Sequence, residues 1–447
     1  MAIPEGLKTS LNAIREISSE IYHQYVPIVD DDTDIGTFGA PILNTPQVMN
    51  EFISSLVNRI VYTQFETKYF RNPLQVLEGD RIPLGYAGQE IYVNPAKGRK
   101  YNVDDFAGLL VKYEADVKVQ YTAVNMDLQY PVTVSRHALK KAFISWDALD
   151  GFIGQLSNSL YNGAYIDEYQ FTKELVAGAY KSNQAQIEIV DNSGGMTSDL
   201  AKAFITKARE LFLNFQTPSE SYNAWAKVGG VGRPIKTWTN PEDIVFLLRN
   251  DIRAFVDVNV LADAFNIGKT ELLGNILTVD NFDMYDDEGT KIFDGSGIIG
   301  MIADKSWFRI KRQDMYLDEF YNANNRTWQY YLNLTKMYNY SLFANGVIFA
   351  TQAPTVNATA ITVDDDDVTV EVDATKTVKV ITTPYSANQT ITVASSDSTV
   401  ATASISGKTI TITGKGTGSG VDGEATITVT CGNLTDTIAV TVPYHAS

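Results

Sequence analysis

The chain has 447 residues, of which 44% are hydrophobic and 11% aromatic, and its formal net charge is −17. This length exceeds one ordinary core and predicts two or three domains, and the hydrophobic share excludes wholesale disorder. The acidic excess argues against a protein that coats nucleic acid through a broad basic face. There is no run of about 18 apolar residues for a membrane helix, and the single cysteine excludes an internal disulfide framework and fits a reducing cytoplasm.

The first 60 residues predict two helices joined by an acidic loop. The first spans 7–25, and the second begins at Thr45 and Pro46, which suit an N-cap and a first turn. A calcium-binding EF-hand loop needs glycine at its sixth place and glutamate at its twelfth, where Ile35 and Pro41 stand here. A solvated loop is therefore favoured over a metal site for the aspartates of this loop, which are Asp30, Asp31, Asp32 and Asp34.

Over residues 61–134 the sequence changes from helical periodicity to strand-like and turn-rich patterns. Strand-like runs at 61–65, 91–93 and 117–121 surround the turn-rich piece NPLQVLEGDRIPLGYAGQEIYVNPAKGRK. This pattern predicts a long, two-stranded excursion without a core of its own. Such loops often contact another chain.

The stretch from Ser145 to Tyr180 predicts the longest helix. Ser145 suits an N-cap, and apolar residues then recur at spacings of three and four without an intervening proline. A helix of this length would run roughly 50 Å. Gly163 is a position where it could break.

The following region predicts further helices at 199–215, 241–257 and 260–265. For the linker KVGGVGRPIK a flexible surface loop is favoured over a phosphate loop, because Gly230 and Gly232 lack the third glycine and no Gly-Lys-Ser/Thr follows. Residues 277–308 alternate between strands and turns, and aromatic and β-branched residues over 330–350 predict long closing strands.

From Ala358 onward the composition becomes rich in threonine. Seven short alternating runs separated by turns predict an immunoglobulin-like sandwich, although the Cys…Trp…Cys pattern of antibody domains is missing. Between two of these runs, the aspartates at 364–367 are interpreted as a solvated turn, with a cation site as the alternative.

Catalytic signatures are missing where they would be expected. The histidines His23, His137 and His445 stand far apart, and no Gly-x-Ser-x-Gly elbow or Cys/His pair with a suitable context occurs. Asp167 and Glu168 on the long helix could form a catalytic pair, but a solvated or salt-bridged helix face is favoured. We therefore expect a structural role, with no enzyme activity, cofactor, metal or catalytic residue.

Six strings carry a resemblance to a known family. In order they are NPLQVLEGDRIPLGYAGQEIY, LKKAFISW, IDEY, DVNVLADAFNIGKTELLGNILTVDNF, DKSWF and WQYYLNLTKMYNYSLFANGVIFA. Spread over about 50–350, they resemble the major capsid proteins of small tailed phages of the phi-twenty-nine type. The tail string SSDSTVATASISGKTITITG is similar to bacterial immunoglobulin-like domains of group 2, and departs from them at Val393, where many members carry tryptophan.

The resemblance implies an α+β fold of the Hong-Kong-ninety-seven capsid type, followed by an all-β immunoglobulin-like sandwich. An N-terminal arm would occupy 1–60 and the capsid-fold body 61–351. Within the body we expect an extended loop at about 62–104, a spine helix at about 145–180 and an axial domain at about 185–330, besides the peripheral domain. A linker at 352–357 would lead to the immunoglobulin-like domain at 358–447.

The resemblance also implies a function. The chain would be made in the host bacterial cytoplasm and would assemble as hexamers and pentamers into an icosahedral virion shell around double-stranded DNA, bound without sequence preference. A scaffolding protein and a portal are expected partners, with host-surface contact through the C-terminal domain as a further one and no membrane partner. The extended loop would overlap a neighbouring subunit through Asn72, Pro73, Leu74, Arg81, Ile82, Pro83, Leu84, Ile91 and Tyr92.

Two other interpretations stay open. A surface adhesin could bind a ligand through the immunoglobulin-like tail, and a nanocompartment shell could share the fold while holding an enzyme cargo. An export signal or cell-wall anchor would favour the adhesin, whereas protein rather than DNA inside purified particles would favour the nanocompartment.

Overall fold

The computed structural model describes residues 3–62, 70–83, 88–100, 111–190, 197–229, 233–259, 275–286, 288–416 and 420–444. Two compact units emerge. The first unit is composed of Met1–Glu90, Gln120–Thr172 and Phe308–Tyr340. The second unit is composed of Ile91–Val119, Lys173–Trp307 and Ser341–Ser447.

The described residues form both helices and strands. The helices are α1 Glu5–Ile17, α2 Glu20–Tyr25, α3 Ile35–Asn44, α4 Pro46–Tyr62, α5 Arg136–Ala142, α6 Trp146–Ser157, α7 Gly163–Lys181, α8 Ser198–Asn214 and α9 Asn250–Asn259. The strands as far as the C-terminal region are β1 Gly88–Val93, β2 Val117–Thr122, β3 Met126–Ser135, β4 Gln186–Ile189, β5 Ile244–Arg249, β6 Asn275–Val279, β7 Met284–Tyr285, β8 Lys291–Phe293, β9 Ile298–Asp304, β10 Phe308–Asn322, β11 Thr327–Tyr340 and β12 Gly346–Ala350.

In the first unit, a three-stranded antiparallel sheet in the order β10-β11-β3 packs against helices. One face of β11 turns Trp328, Tyr330 and Leu332 into the core, in the period-two alternation of a strand with one buried face. Helices α1 to α6 all contribute to the same core, including Phe38 and Phe52. Burial of these apolar faces is the main source of stability for the unit.

The long helix predicted from Ser145 to Tyr180 is present in two pieces. The side-chain oxygen of Ser145 accepts a hydrogen bond from the backbone N–H of Ala148 at 3.1 Å, so the predicted cap is confirmed. A π-helical turn at Asn158–Asn162 then separates α6 from α7, immediately before Gly163. Such an inserted turn shifts the helical register by widening one turn.

In the second unit, a five-stranded mixed sheet has the order β4-β12-β9-β5-β6. The prediction of a helix over 241–257 is wrong in its first half, because Ile244–Arg249 is an interior strand of this sheet, paired with β6 and β9, and the α-helix is confined to Asn250–Asn259. The run IVFLLR is buried on both faces, and periodicity cannot distinguish a short, fully apolar strand from a helix segment.

Three further predictions differ at the N-terminal end. The helix predicted at 7–25 is broken at Ser18 and Ser19, whose side chains bond backbone or carboxylate groups instead of continuing the helix. The second half of the predicted acidic loop is α3, and the start of the predicted strand at 61–65 belongs to α4. Residues 63–69, 230–232 and 260–265 lie outside the described residues, so the predictions there are untested.

The C-terminal region is a sandwich of two four-stranded sheets. Its strands are β13 Ala360–Val363, β14 Asp367–Thr369, β15 Thr375–Thr383, β16 Ile391–Ser395, β17 Ala401–Ser406, β18 Thr409–Gly414, β19 Gly423–Cys431 and β20 Leu434–Val442. The sheet orders are β13-β15-β18-β17 and β14-β20-β19-β16. The run ATASIS was not among the predicted strands, whereas the other strands follow the predicted alternation. We call residues 358–444 the module.

The module has its own apolar core. Val378, Ile412 and Ile427 are among its fully buried side chains, and Val393, in the position noted for tryptophan, is half-buried against them. The thiol of Cys431 is free and buried there. Among the described helices, none has the length and apolar character needed to cross a membrane.

Candidate assembly surface

The segment from Asn72 to Pro83 lies along β10 of its own chain. The Asn72 side chain accepts from the backbone N–H of Leu74 at 2.9 Å and starts a tight turn. Beyond the turn, the N–H groups of Gly79 and Ile82 donate to the carbonyls of Ile310 and Arg312 at 2.8 and 2.9 Å. The first unit therefore holds this segment by main-chain hydrogen bonds.

Of the nine residues predicted to contact a neighbouring subunit, the eight that the structure describes separate into two groups. Asn72, Leu74 and Ile82 are buried within the chain, and the Tyr92 hydroxyl donates to the carbonyl of Lys236. Leu84 lies outside the described residues. The remaining residues are exposed: Pro73, Arg81, Pro83 and Ile91.

Arg81 is exposed but still makes contacts within its own chain. Its Nε donates to the carbonyl of Gln313, and its guanidinium pairs with Asp314 at 3.0 Å. The Gln313 side chain in turn donates to the carbonyl of Pro83 at 3.1 Å. The intersubunit role of the nine residues remains a prediction, and Leu74 and Ile82 contribute to the subunit's own packing.

A buried ion cluster fixes the same segment to α7 and β11. Lys336 Nζ lies 2.5 Å from Glu168 Oε1 and 3.1 Å from Glu78 Oε2, while Arg312 Nε lies 3.4 Å from Glu78 Oε1. Lys336 is 0% and Glu168 3% exposed. The buried charges of Lys336 and Glu168 thus compensate each other, as buried charges require, while the partly exposed Glu78 and Arg312 extend the cluster towards solvent.

Burial shifts the proton affinities of Glu168 and of the nearby Tyr338. It raises the pKa of Glu168, against the opposing effect of Lys336. Burial also raises the pKa of Tyr338, and the nearby charges of Glu168 and Glu78 raise it further. Both groups therefore hold their protons more tightly than they would in water.

The adjacent carboxylates Asp167 and Glu168 do not face one site. Asp167 accepts a hydrogen bond from the Tyr130 hydroxyl at 2.9 Å, whereas Glu168 pairs with Lys336. The pKa of Asp167 is raised by burial, with the bond from Tyr130 acting in the opposite direction. The geometry thus supports the salt-bridged interpretation for Glu168, whereas Asp167 is hydrogen-bonded to a neutral hydroxyl.

In the second unit, residues of β1 and β2 combine a fixed side with an exposed apolar side. The Asn94 side chain donates to Asp116 at 2.8 Å and to the carbonyl of Pro234 at 3.1 Å, and the Tyr92 ring packs 5.8 Å from that of Phe343. On the opposite side, the exposed large hydrophobic side chains are Ile91 at 56%, Val93 at 53% and Val117 at 47%. We call these three residues the apolar ribbon face.

The acidic run near the N-terminus is used for local structure. Asp30 accepts from the Thr33 hydroxyl at 2.6 Å, and Asp34 accepts from the backbone N–H of Thr37 at 3.1 Å as the N-cap of α3. Throughout the described ranges, no three or more His, Cys, Asp or Glu side chains are grouped so as to hold a metal ion.

Sequence reasoning did not identify the ion cluster. Glu78 and Lys336 are 258 positions apart, and neither stands in a recognisable motif. The one available signal was a lysine in the strongly apolar and aromatic run that forms β11, since a charge in such a run needs a partner.

Comparisons with known proteins agree on one family. The model of the family "Phi29-like phage major capsid protein" matches residues 11–350, and that of the bacterial Ig-like domain, group 2, matches 357–442. The major capsid protein of Bacillus phage B103 is 30% identical over 344 residues, covering 76% of this chain and 72% of that protein. That of Bacillus phage PZA is 29% identical over 343 residues, with the same coverage.

Solved structures share the fold. A chain in the capsid structure of Staphylococcus phage Andhra superposes with a TM-score of 0.52 at 15% identity, covering 65% of this chain and 87% of that one. A chain in a structure of native bacteriophage P68 gives a TM-score of 0.50 at 14% identity, with the same coverage.

Proposed function

Because the chain belongs to the family of Phi29-like phage major capsid proteins, we propose that it assembles as hexamers and pentamers into an icosahedral head shell that encloses double-stranded DNA. It is a structural protein of the virion capsid, with a Hong-Kong-ninety-seven-type body and a C-terminal immunoglobulin-like domain. Its principal partners are other copies of itself.

The apolar ribbon face is the observation that carries the assembly proposal. Isolated apolar side chains are common on protein surfaces, but three β-branched ones on paired strands form a compact surface that association would bury. A head-to-tail contact made by each subunit closes into a ring when the rotation permits, and both pentamers and hexamers are such rings. The exposed residues Pro73, Pro83 and Ile91 would meet the neighbouring copy.

The buried ion cluster supports the same proposal from inside the subunit. It anchors Glu78, within the segment Asn72–Pro83, to α7 and β11, so the subunit would present this part of the loop in a fixed position. Preorganisation of this kind reduces the entropy lost on association.

The negative net charge of the chain is compatible with a shell that encloses DNA. With −17 per copy, the shell wall would contact packaged DNA weakly and without sequence preference, so that DNA could move during packaging and ejection. A scaffolding protein and a portal would complete assembly, and the immunoglobulin-like domain would be available for host-surface contact.

Electron microscopy of the chain expressed alone and with a candidate scaffolding protein tests this function. Uniform shells tens of nanometres across, with DNA recovered from particles made in infected cells, are the expected result. Monomers under both conditions would contradict shell assembly. Shells that enclose an enzyme instead of DNA would identify a nanocompartment.

A further inference from the structure

The segment between the five-stranded sheet and the module is hydrogen-bonded at both ends. The carbonyl of Gln352 accepts from the Tyr180 hydroxyl, next to the end of α7, at 2.7 Å. Two residues later, the carbonyl of Pro354 accepts from the Asn388 side chain of the module, also at 2.7 Å. Asn388 accepts in return from the N–H of Val356 at 2.9 Å. Only Ala353 separates the two anchored carbonyls.

A loop of the module also contacts the rest of the second unit directly. The Asn183 side chain donates to the carbonyl of Ser386 at 2.9 Å and accepts from Lys227 Nζ at 3.1 Å. Asn183 has a φ of +52°, a conformation that asparagine adopts more readily than most residues. Its side chain is therefore held between Lys227 and the module.

The ring of Tyr385 packs onto the backbone of Gly229. The φ of Gly229 is +77°, and a Cβ at this position would lie 2.9 Å from Cγ of the Tyr385 ring. Real Cβ atoms do not approach that closely, so glycine is required here both by the backbone conformation and by the ring.

The module holds the Tyr385 ring from its own side. Lys408 Nζ lies 4.2 Å from the ring centre, donates to the Thr382 hydroxyl at 2.6 Å and also donates to the carbonyl of Tyr385. A cation over an aromatic face attracts it electrostatically. Contacts within the module thus fix the conformation of the loop independently of its contact with Gly229.

We infer that Asn183, Lys227 and Gly229 form a docking site for the loop 383–388, which holds the module in one orientation. The Gln352 end of the connecting segment is anchored by Tyr180, and the Pro354 end is anchored by Asn388 of the loop itself. The contacts of Ser386 with Asn183 and of Tyr385 with Gly229 are therefore the further ones that prevent rotation about Ala353. A flexible linker of six residues would instead have a root-mean-square length of roughly 13 Å. This inference goes beyond shell assembly, which the family membership supports whether or not the module is docked.

Distance measurement between two spin labels in the full-length chain tests the docking. Suitable sites are Ala203→Cys on the exposed side of α8 and Ser398→Cys in the turn after β16, both exposed. Cys431 is buried and stays unlabelled under native conditions. The variants are Tyr385→Ala and Gly229→Ala, and the matched control is Tyr444→Ala, an exposed tyrosine of the same module.

A narrow distance distribution is expected for the parent chain and for the control. Both docking variants should broaden it, with roughly 10 Å, the scale of a freely jointed linker, as the upper bound because the bond from Tyr180 to Gln352 remains. Gly229→Ala leaves the module's sequence intact, so broadening in this variant supports docking even if Tyr385→Ala loosens the module. A broad distribution in the parent, narrow distributions in both variants, or broadening in Tyr385→Ala alone would overturn the inference.

Discussion

Lys336 and Glu168 face each other at 2.5 Å in the interior of the first unit, with Lys336 fully buried. We predict that Lys336→Met lowers the free energy of unfolding at pH 7 by about 3–5 kcal/mol, because Glu168 is left as a buried, poorly compensated carboxylate. The loss should shrink at pH 5. The folded protein holds the Glu168 proton more tightly than the unfolded chain, so stability falls as pH rises from the ordinary carboxyl pKa through the raised one.

Urea denaturation at the two pH values measures this effect. The double variant Lys336→Met with Glu168→Gln is the control, because it removes both charges and should recover part of the loss at pH 7. An equal loss at pH 5 and pH 7 would show that Lys336 acts through packing alone.

The apolar ribbon face predicts an assembly defect that spares folding. Replacing Ile91 and Val117 together by serine should weaken subunit association by about 3 kcal/mol per contact, or about 100-fold. Particle yield from sedimentation, compared with the thermal midpoint of the unassembled chain, separates the two effects. Val421→Ser, at a similarly exposed position of the module, is the control. Normal particle yield from the double variant would remove this face from the assembly contact.

Ile82 should behave differently from the ribbon residues. It is buried against its own chain, so Ile82→Ala should lower the free energy of unfolding by about 2–5 kcal/mol. Denaturation of the unassembled chain measures the loss. An unchanged stability combined with failed assembly would instead assign Ile82 to the neighbouring subunit.

Substitutions of Asp34 and Asp32 test whether the acidic run caps a helix or binds calcium. Asp34→Ala should cost about 1 kcal/mol by removing the N-cap of α3, whereas Asp32→Ala should change stability by no more than about 0.5 kcal/mol. Thermal unfolding with and without calcium completes the test. A calcium-dependent increase in midpoint that either variant abolishes would contradict the solvated-loop interpretation.

Gly39 marks a close helix contact in the first unit. A Cβ added there would lie 2.6 Å from a ring carbon of Phe143, so Gly39→Ala should destabilise the unit by about 1–3 kcal/mol through overpacking. Gly6→Ala in α1 is the matched control, since nothing lies within 4 Å of its added Cβ. Alanine's better helix propensity should make that variant neutral or more stable by up to about 1 kcal/mol. Calorimetry measures the change in unfolding free energy for both variants. An equal change in the two would contradict overpacking at Gly39.

Local patterns allowed much of the fold to be predicted. The alternation of the module and the cap at Ser145 were visible because both depend on neighbouring residues. Ile244–Arg249 was misassigned because a fully buried strand lacks the alternation that distinguishes it from a helix. The apolar residues of the segment Asn72–Pro83 indicated that they would be buried. A sequence does not show whether their own chain or a neighbouring chain covers them.

The ion cluster could not be predicted for a different reason. Its members come from the segment Asn72–Pro83, α7, β10 and β11, so their proximity depends on the whole topology of the first unit. Aspartates and glutamates number 53, which makes any single carboxylate uninformative before its partner is known.

The path of β16 and β17 places an exposed turn at the end of the module that is remote from the docking loop. β16 begins two residues after Gln389, next to the docking loop, and ends at Ser395, so the turn at 396–400 lies at the far end of the strands. The exposed residues 397–399 form this turn without contributing a side chain to the module's core. In a shell whose modules face outward and are docked as inferred, a foreign peptide inserted there would be carried at a fixed height and angle by each copy, which would suit multivalent antigen display.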